Sequence, residues 1–292
     1  MKFQLVAPDH EYNSGLVTGG INGVTVWFNA LAQALRWHGH DAQTVSVHQA
    51  LSADYVFIQS EAMKYPGIRD YAREGGKVIC ALQHFDLSPN GYPTFEKVRG
   101  MAWQIFTQWE GEVLRGRDYP LFPHAYNDLG DDRVSIKREG SIVFAGNSYS
   151  LRNESWFDGL QIVRVYRTLP EIMFAVYRGA DVCVNLHGDF QKNIVSSLPN
   201  RVSNYSGMQV NERFWNVLGS GGLLITDWVP QMERWFKKEE LIIGDTKEEF
   251  QELVKYYVDH KKEGLDKLKV ARERIQKEHT YRHRVAGIFK YL

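Results

Sequence analysis

Residues 211–228 read NERFWNVLGSGGLLITDW, a glycine cluster set between two apolar patterns. The order of those patterns decides how the segment folds. Val210, Phe214, Val217 and Leu218 recur at the spacing of one helix face. Leu223-Leu224-Ile225-Thr226, after the glycines, reads as a short strand. A loop that cradles a phosphate runs strand, glycines, helix, so that backbone amides and the positive end of the helix dipole meet the anion. Here the order is reversed. Gly219, Gly221 and Gly222 are therefore expected to stop a helix and turn the chain into a strand. The chemistry is sought on the helix itself, where Arg213 and Asn216 lie three apart on the polar face.

The same alternation extends in both directions. KFQLVA, AQTVSVH, DYVFIQ, KVICALQ and MAWQIFTQ read as strands, with helical patterns from Asn22 and within YPGIRDYAREGG between them. The stretch from Tyr119 to Gly140, rich in proline and acidic turns, reads as a linker. A second series follows: SIVFAGN, a helix near Pro170–Arg178, ADVCVNL, the opening helix, GLLITD and ELIIGD. The last sixty residues read as helical, with a capping box at Thr246–Glu249 and an apolar stripe of Phe250, Leu253, Val254 and Tyr257. Strands alternating with helices point to parallel βαβ units. The expectation is an α/β protein of two Rossmann-like halves facing a cleft. Residues 1–125 form the first, 126–278 the second, and 279–292 a helix that crosses back to the first.

Composition narrows the partners. The 292 residues carry 35 Lys+Arg against 35 Asp+Glu, so no global charge marks a nucleic-acid or membrane binder. The N-terminal stretch shows no leader pattern, and no apolar run reaches the roughly 18 residues of a membrane span, so a cytoplasmic location without integral membrane association is expected. Cys80 and Cys183, the two cysteines, sit in apolar runs and read as reduced core residues.

Candidate binding residues cluster at strand ends. TGGINGVTVWF follows the first strand and opens a helix, so Gly19 and Gly20 allow an anion close to the backbone. It lacks the G-x-G-x-x-G spacing and the acidic strand end of a nicotinamide site. In VFAGNSYSLR a strand is followed by Asn147 and Arg152, a planar cation suited to a diphosphate. His84 in ALQHFDL and His187 after DVCVNL both follow strands, where an imidazole can exchange a proton with a ligand hydroxyl. Each of these residues also has a purely structural reading, as a surface, turn or core position. His279 and His283 are four apart, but no carboxylate or third ligand accompanies them, and no metal site is expected.

Three motifs in this order carry a family resemblance. RFWNVLGSGGLLITD, then ELIIGDTKEEFQELVKYYV and HTYRHRVAGIF, resemble the C-terminal half of group-1-like glycosyltransferases of the CgeB-like (spore maturation protein) type. TGGINGVTVWFNALAQALRWHGHDA is similar to the opening of retaining group-1 glycosyltransferases. The resemblance implies a GT-B fold, with an N-terminal acceptor domain and a C-terminal nucleotide-sugar domain. It places Arg152 near the donor's diphosphate, the Gly19-Gly20 loop at its phosphates or its sugar, and the helix of Arg213 and Asn216 beside its ribose and phosphates. In one respect the chain departs from the family, which carries two glutamates eight positions apart. Met208 and Asn216 stand at those places.

The expectation is therefore a metal-independent glycosyltransferase. It would move a hexosyl or pentosyl group from a nucleoside diphosphate sugar to an unidentified acceptor: a glycan, a protein or a modified DNA base. Arg152 and His84 would be catalytic; Gly19, Gly20, Asn147, Arg152, His187, Arg213 and Asn216 would bind the nucleotide sugar, with no further cofactor. The alternatives are a non-catalytic nucleotide-sugar binder, or an epimerase or hydrolase on the same fold.

Overall fold

Five strands build the first sheet: β1 (Lys2–Ala7), β2 (Asp41–Ser46), β3 (Tyr55–Gln59), β4 (Lys77–Leu82) and β5 (Gln104–Thr107). All pair in parallel, in the order β2-β1-β3-β4-β5. Near-continuous burial of the central three, β1, β3 and β4, shows both their faces covered, as a parallel sheet requires. The computed structural model describes residues 1–7, 23–82, 99–107, 119–132, 134, 138–145, 154–165, 170–187 and 210–292. Parallel neighbours need a crossover. Helix α1 (Gly23–Trp37) supplies one between β1 and β2, and α2 (Pro66–Arg73) another between β3 and β4. Trp27 and Phe28 of α1 meet Phe57 of β3 edge-on, at 5.9 and 5.8 Å between ring centroids.

The second sheet comprises β6 (Arg138–Ala145), β7 (Ile162–Val165), β8 (Ala180–Asn185) and β9 (Leu224–Thr226). Its order is β7-β6-β8-β9, again all parallel. Helix α3 (Pro170–Gly179) precedes β8, and α4 (Glu212–Ser220) precedes β9. Four helices end the described chain: α5 (Lys247–Asp259), α6 (Lys261–Lys267), α7 (Lys269–Glu278) and α8 (Tyr281–Ile288). Cys80 and Cys183 are buried free thiols. No described helix is long and apolar enough to cross a membrane.

Among the described residues the chain forms two compact units. One holds those from 1 to 123 and from 282 to 292, the other those from 124 to 187 and from 210 to 281. In the first unit the returning segment is well anchored. The Arg282 carbonyl hydrogen-bonds His38 Nε2 at 2.9 Å, and the Tyr291 ring meets Phe106 edge-on at 5.5 Å.

The opening stretch folds as its order requires. Asn211 caps α4, its Oδ1 accepting from Phe214 N at 3.1 Å. Val210 lies just ahead of the cap, outside the helix, and is buried. Gly221 ends the helix at φ +97°, and its neighbour Gly222 donates to Val217 O at 2.9 Å. That left-handed residue is the reason a glycine is needed there.

Three local expectations differ from the structure. ELIIGD makes a single bridge, Thr226 to Ile243, because it is held beside the short β9 for one residue pair only. β7 was not expected: it is an edge strand with Val163 and Arg164 exposed, which erases the apolar run. The stretch read as a linker does contain the passage from one unit to the other, at 123/124, and it is packed where it is described. Tyr126 is fully buried, its hydroxyl donates to Asp131 Oδ2 at 2.5 Å, and Arg178 pairs with Asp131 at 2.6 Å. The cap of α5 also differs in one bond. Thr246 Oγ1 accepts from Glu249 N at 3.2 Å, but Glu249 reaches back to Asp245 N, not Thr246 N.

Candidate functional site

In the second sheet β6 is followed by β7 on one side and β8 on the other, so the winding reverses between β6 and β8. At such a switch point the two following loops diverge and leave a crevice beyond the carboxyl ends of the strands, where ligands of open α/β sheets bind. Arg213 spans that point. Its Nε donates to the Ala145 carbonyl at the end of β6, and its Nη1 donates to Asn185 Oδ1 at the end of β8, at 2.5 Å. The guanidinium lies 4.2 Å from the centroid of the Phe144 ring.

Asn185 is completely buried and works as a junction. Its Oδ1 accepts from both Arg213 and Asn211 Nδ2, the latter at 2.9 Å, and its Nδ2 donates to Thr226 Oγ1 at 2.9 Å. Arginine has only donors, so the orientation of the Asn185 amide follows from this network. The α4 cap, two strand ends and Arg213 are thereby tied together.

The charge of Arg213 is held but not cancelled. Burial pushes its guanidinium down to about 10, still far above neutrality, so it remains a cation. Its hydrogen-bond and stacking partners are a carbonyl, an amide and an aromatic face; Asp227 and Glu212 act on it as nearby charges, but it forms no ion pair among the described residues. Arg178, by contrast, is neutralised by Asp131. A half-buried cation with no carboxylate bonded to it can take an anion.

Next along the sheet edge, His187 follows β8 and Asp227 follows β9. Both are 1% exposed. Asp227 Oδ1 accepts from His187 Nδ1 at 2.6 Å and from His187 N at 3.0 Å. His187 Nε2 is buried and has no hydrogen-bond partner among the described residues.

On the other side of α4, Glu212 accepts from the Tyr281 hydroxyl at 3.3 Å and from the Asn216 side chain. Burial raises the Glu212 carboxyl from 4.5 to about 7, against the pull of Tyr281, Asn216 and Arg213. A raised carboxyl stabilises the fold fully below its unfolded value, near 4.5, and that contribution is lost as pH rises through about 7. Wild type should therefore lose about 2 kcal/mol relative to Glu212→Gln between pH 4.5 and 8. Urea denaturation of both proteins across that range measures it; parallel pH slopes would refute the assignment.

The structure brings His187 and Arg213 to the same edge, both beside the carboxyl end of β8. Asn216 is turned elsewhere: its Oδ1 accepts from Asn127 N at 3.2 Å, so its carbonyl oxygen is already engaged. Gly19, Gly20, His84, Asn147, Arg152 and Met208 lie outside the described residues. Asn185, Asn211, Glu212 and Asp227 were not singled out from the sequence as site residues. A polar residue closing an apolar strand run, as at Asn185 and Asp227, was the available signal. No group of three or more His, Cys, Asp or Glu suited to a metal occurs among the described residues.

The first sheet has the same winding, with its switch point between β1 and β3. There Gln59 and Ser60 are buried at the end of β3, and Gln59 Nε2 and Ser60 Oγ have no hydrogen-bond partner among the described residues.

A profile of the family described as glycosyl transferase-like matches residues 133–290, more than half of the chain. No curated protein matches it. Solved structures do, over nearly the whole length. A sucrose-phosphate synthase from Thermosynechococcus elongatus superposes with a TM-score of 0.64 at 10% identity, covering 99% of this chain and 98% of its own. The DNA modifying enzyme beta-glucosyltransferase, solved with and without uridine diphosphoglucose, gives 0.61 at 10% identity, covering 99% and 98%. The T4 phage enzyme BGT, in complex with UDP and Mn2+, gives 0.57 at 12% identity, covering 100% and 99%. At these identities the likeness is one of fold.

Proposed function

We propose, on the premise that the chain belongs to the glycosyl transferase-like family, that its second unit binds a nucleoside diphosphate sugar at the carboxyl edge of its sheet. The fold is GT-B and the family's activity is glycosyl transfer. One observation carries the donor assignment: Arg213, a cation whose hydrogen-bond partners among the described residues are neutral, spans the β6/β8 switch point. In the transfer, the bond from the anomeric carbon to the diphosphate oxygen breaks as an acceptor oxygen bonds to that carbon. The acceptor loses its proton, and the diphosphate leaves with one more negative charge. A preplaced cation stabilises that charge as it develops.

In this reading Arg213 takes the charge-stabilising part that a divalent ion would otherwise take, so the reaction is metal-independent. By the family resemblance Arg152 and Asn147 serve the donor's diphosphate, the Gly19-Gly20 loop its phosphates or sugar, and His84 the acceptor's proton. The transferred group is a hexose or pentose. Gln59 and Ser60, at the first sheet's switch point, offer hydrogen bonds to an uncharged polar acceptor. That acceptor is a glycan, a protein or a modified DNA base.

A thermal-shift screen of nucleoside diphosphate hexoses and pentoses tests this first. The donor that stabilises the protein should then be consumed only when an acceptor is present, and equally in EDTA. If no nucleotide or nucleotide sugar raises the melting temperature, the donor assignment fails. Nucleotide release from the donor alone would instead indicate the hydrolase or epimerase, and binding without turnover on any acceptor the non-catalytic binder.

A further inference from the structure

A buried imidazole nitrogen without a partner costs about 1–3 kcal/mol, and His187 Nε2 has none among the described residues. The opposite ring nitrogen explains what Nε2 can offer. Asp227 Oδ1 already accepts the His187 backbone N–H and also faces Nδ1 at 2.6 Å. A carboxylate only accepts, so the Nδ1 proton stays on the ring and the neutral imidazole presents its lone pair at Nε2.

Charge decides what can meet that lone pair. The His187–Asp227 pair carries a net charge of zero with the imidazole protonated and minus one with it neutral. In neither state does it attract a phosphate. A neutral O–H group, by contrast, donates well to a buried imidazole nitrogen. Place gives the second half of the argument. His187 is two residues beyond Asn185, to which the cationic Arg213 is bonded, and Asp227 follows the adjacent strand β9. Neighbouring strands lie about 4.8 Å apart, so the dyad stands roughly one group's width along the edge from the anion site.

We propose that the His187–Asp227 dyad is the hydroxyl-reading element of this site: His187 Nε2 accepts a hydroxyl of the ligand's sugar portion, and Asp227 holds the ring for it. The assignment rests on the donor reading above. Its two sources of hydroxyl, the ribose of the nucleotide and the transferred sugar, share one chemistry and are separable by experiment.

His187→Asn is the informative variant, because its amide nitrogen can keep donating to Asp227 while the Nε2 position is lost. The unliganded melting temperature should stay within a few degrees. Titration calorimetry with UDP, 2′-deoxy-UDP and UDP-glucose, and with the ADP and GDP equivalents, reads the effect. If the hydroxyl is on the transferred sugar, UDP binding is unchanged and UDP-glucose binding weakens roughly 10-fold or more. If it is on the ribose, UDP and UDP-glucose both weaken and 2′-deoxy-UDP does not. Asp227→Ala removes the acceptor that holds the ring and keeps the proton on Nδ1. It should lose the same hydroxyl-dependent increment, and His187→Asn stands as the test should that variant fail to fold. Wild-type binding that His187→Asn leaves equal for every ligand overturns this inference alone. A wild type that binds none of these nucleotides overturns the donor reading and this one with it.

Discussion

Arg213→Met weakens binding of the nucleoside diphosphate that the wild type selects by roughly 50-fold and leaves binding of the parent nucleoside unchanged. The size follows from losing charge-assisted hydrogen bonds to an anion in a half-buried site. The selectivity follows from the chemistry of the two ligands: methionine removes the positive charge that a diphosphate meets, and the parent nucleoside carries no charge to lose. Arg213→Lys should recover only part of the loss. A compact ammonium has three donors on one atom, so bonding the Ala145 carbonyl and the Asn185 amide would leave it a single donor for the ligand. Calorimetry with the nucleoside diphosphate and the nucleoside, side by side, separates the effects. Equal losses for both would mean that Arg213 faces the sugar or base and not the diphosphate. The same substitution leaves the Ala145 carbonyl without its Arg213 bond, so a stability cost of about 1–2 kcal/mol accompanies it and is measured on the unliganded protein.

Gly219→Ala destabilises the second unit by about 3 kcal/mol. Helix propensity alone predicts the opposite sign, since alanine exceeds glycine by about 1 kcal/mol inside a helix. The packing term wins because a methyl group at Gly219 would come within 2.6 and 2.7 Å of Cδ1 and Cδ2 of Tyr126. That ring cannot retreat. It is fully buried and packed edge-on against Phe174, its hydroxyl is bonded to Asp131, and its backbone is bonded to His279 and Tyr281. Gly221→Ala provides the contrast. Its left-handed backbone costs about 1–2 kcal/mol, but its nearest neighbour, an Arg178 side-chain atom, is 4.0 Å away. Urea denaturation ranks the two; a stabilised Gly219→Ala would refute the close approach.

Both substitutions sit in the stretch that set the fold, and they show which parts of the molecule can be read from sequence. The order of helix, glycines and strand is a local pattern, and local periodicity carried it. The placing of Arg213 at the ends of β6 and β8 was reachable for the same reason, from a polar residue on the helix away from its apolar stripe. Asp227 was not, because its meaning depends on His187, 40 residues away in the chain. Glu212 stood unnoticed beside Arg213, since its raised carboxyl depends on burial and on Tyr281, 69 residues further on. Asn216 was read as a ligand contact because its helix face is polar. The fold uses its carbonyl oxygen to hold Asn127 N, a partner that no spacing rule reveals. The segment from Tyr119 was read as a linker from its prolines and charges. Its burial comes from backbone bonds to the distant His279 and Tyr281.

The return of residues 282–292 to the first unit has a consequence for synthesis on the ribosome. Residues 1–123 leave the exit tunnel before residues 124–281, yet the unit they belong to also needs Arg282 against His38 and Tyr291 against Phe106. Of the two units, the one begun earlier is thus the one finished later. Until its closing segment arrives, the nascent chain carries a parallel sheet with incomplete cover, and this is the interval in which a chaperone has the most to protect.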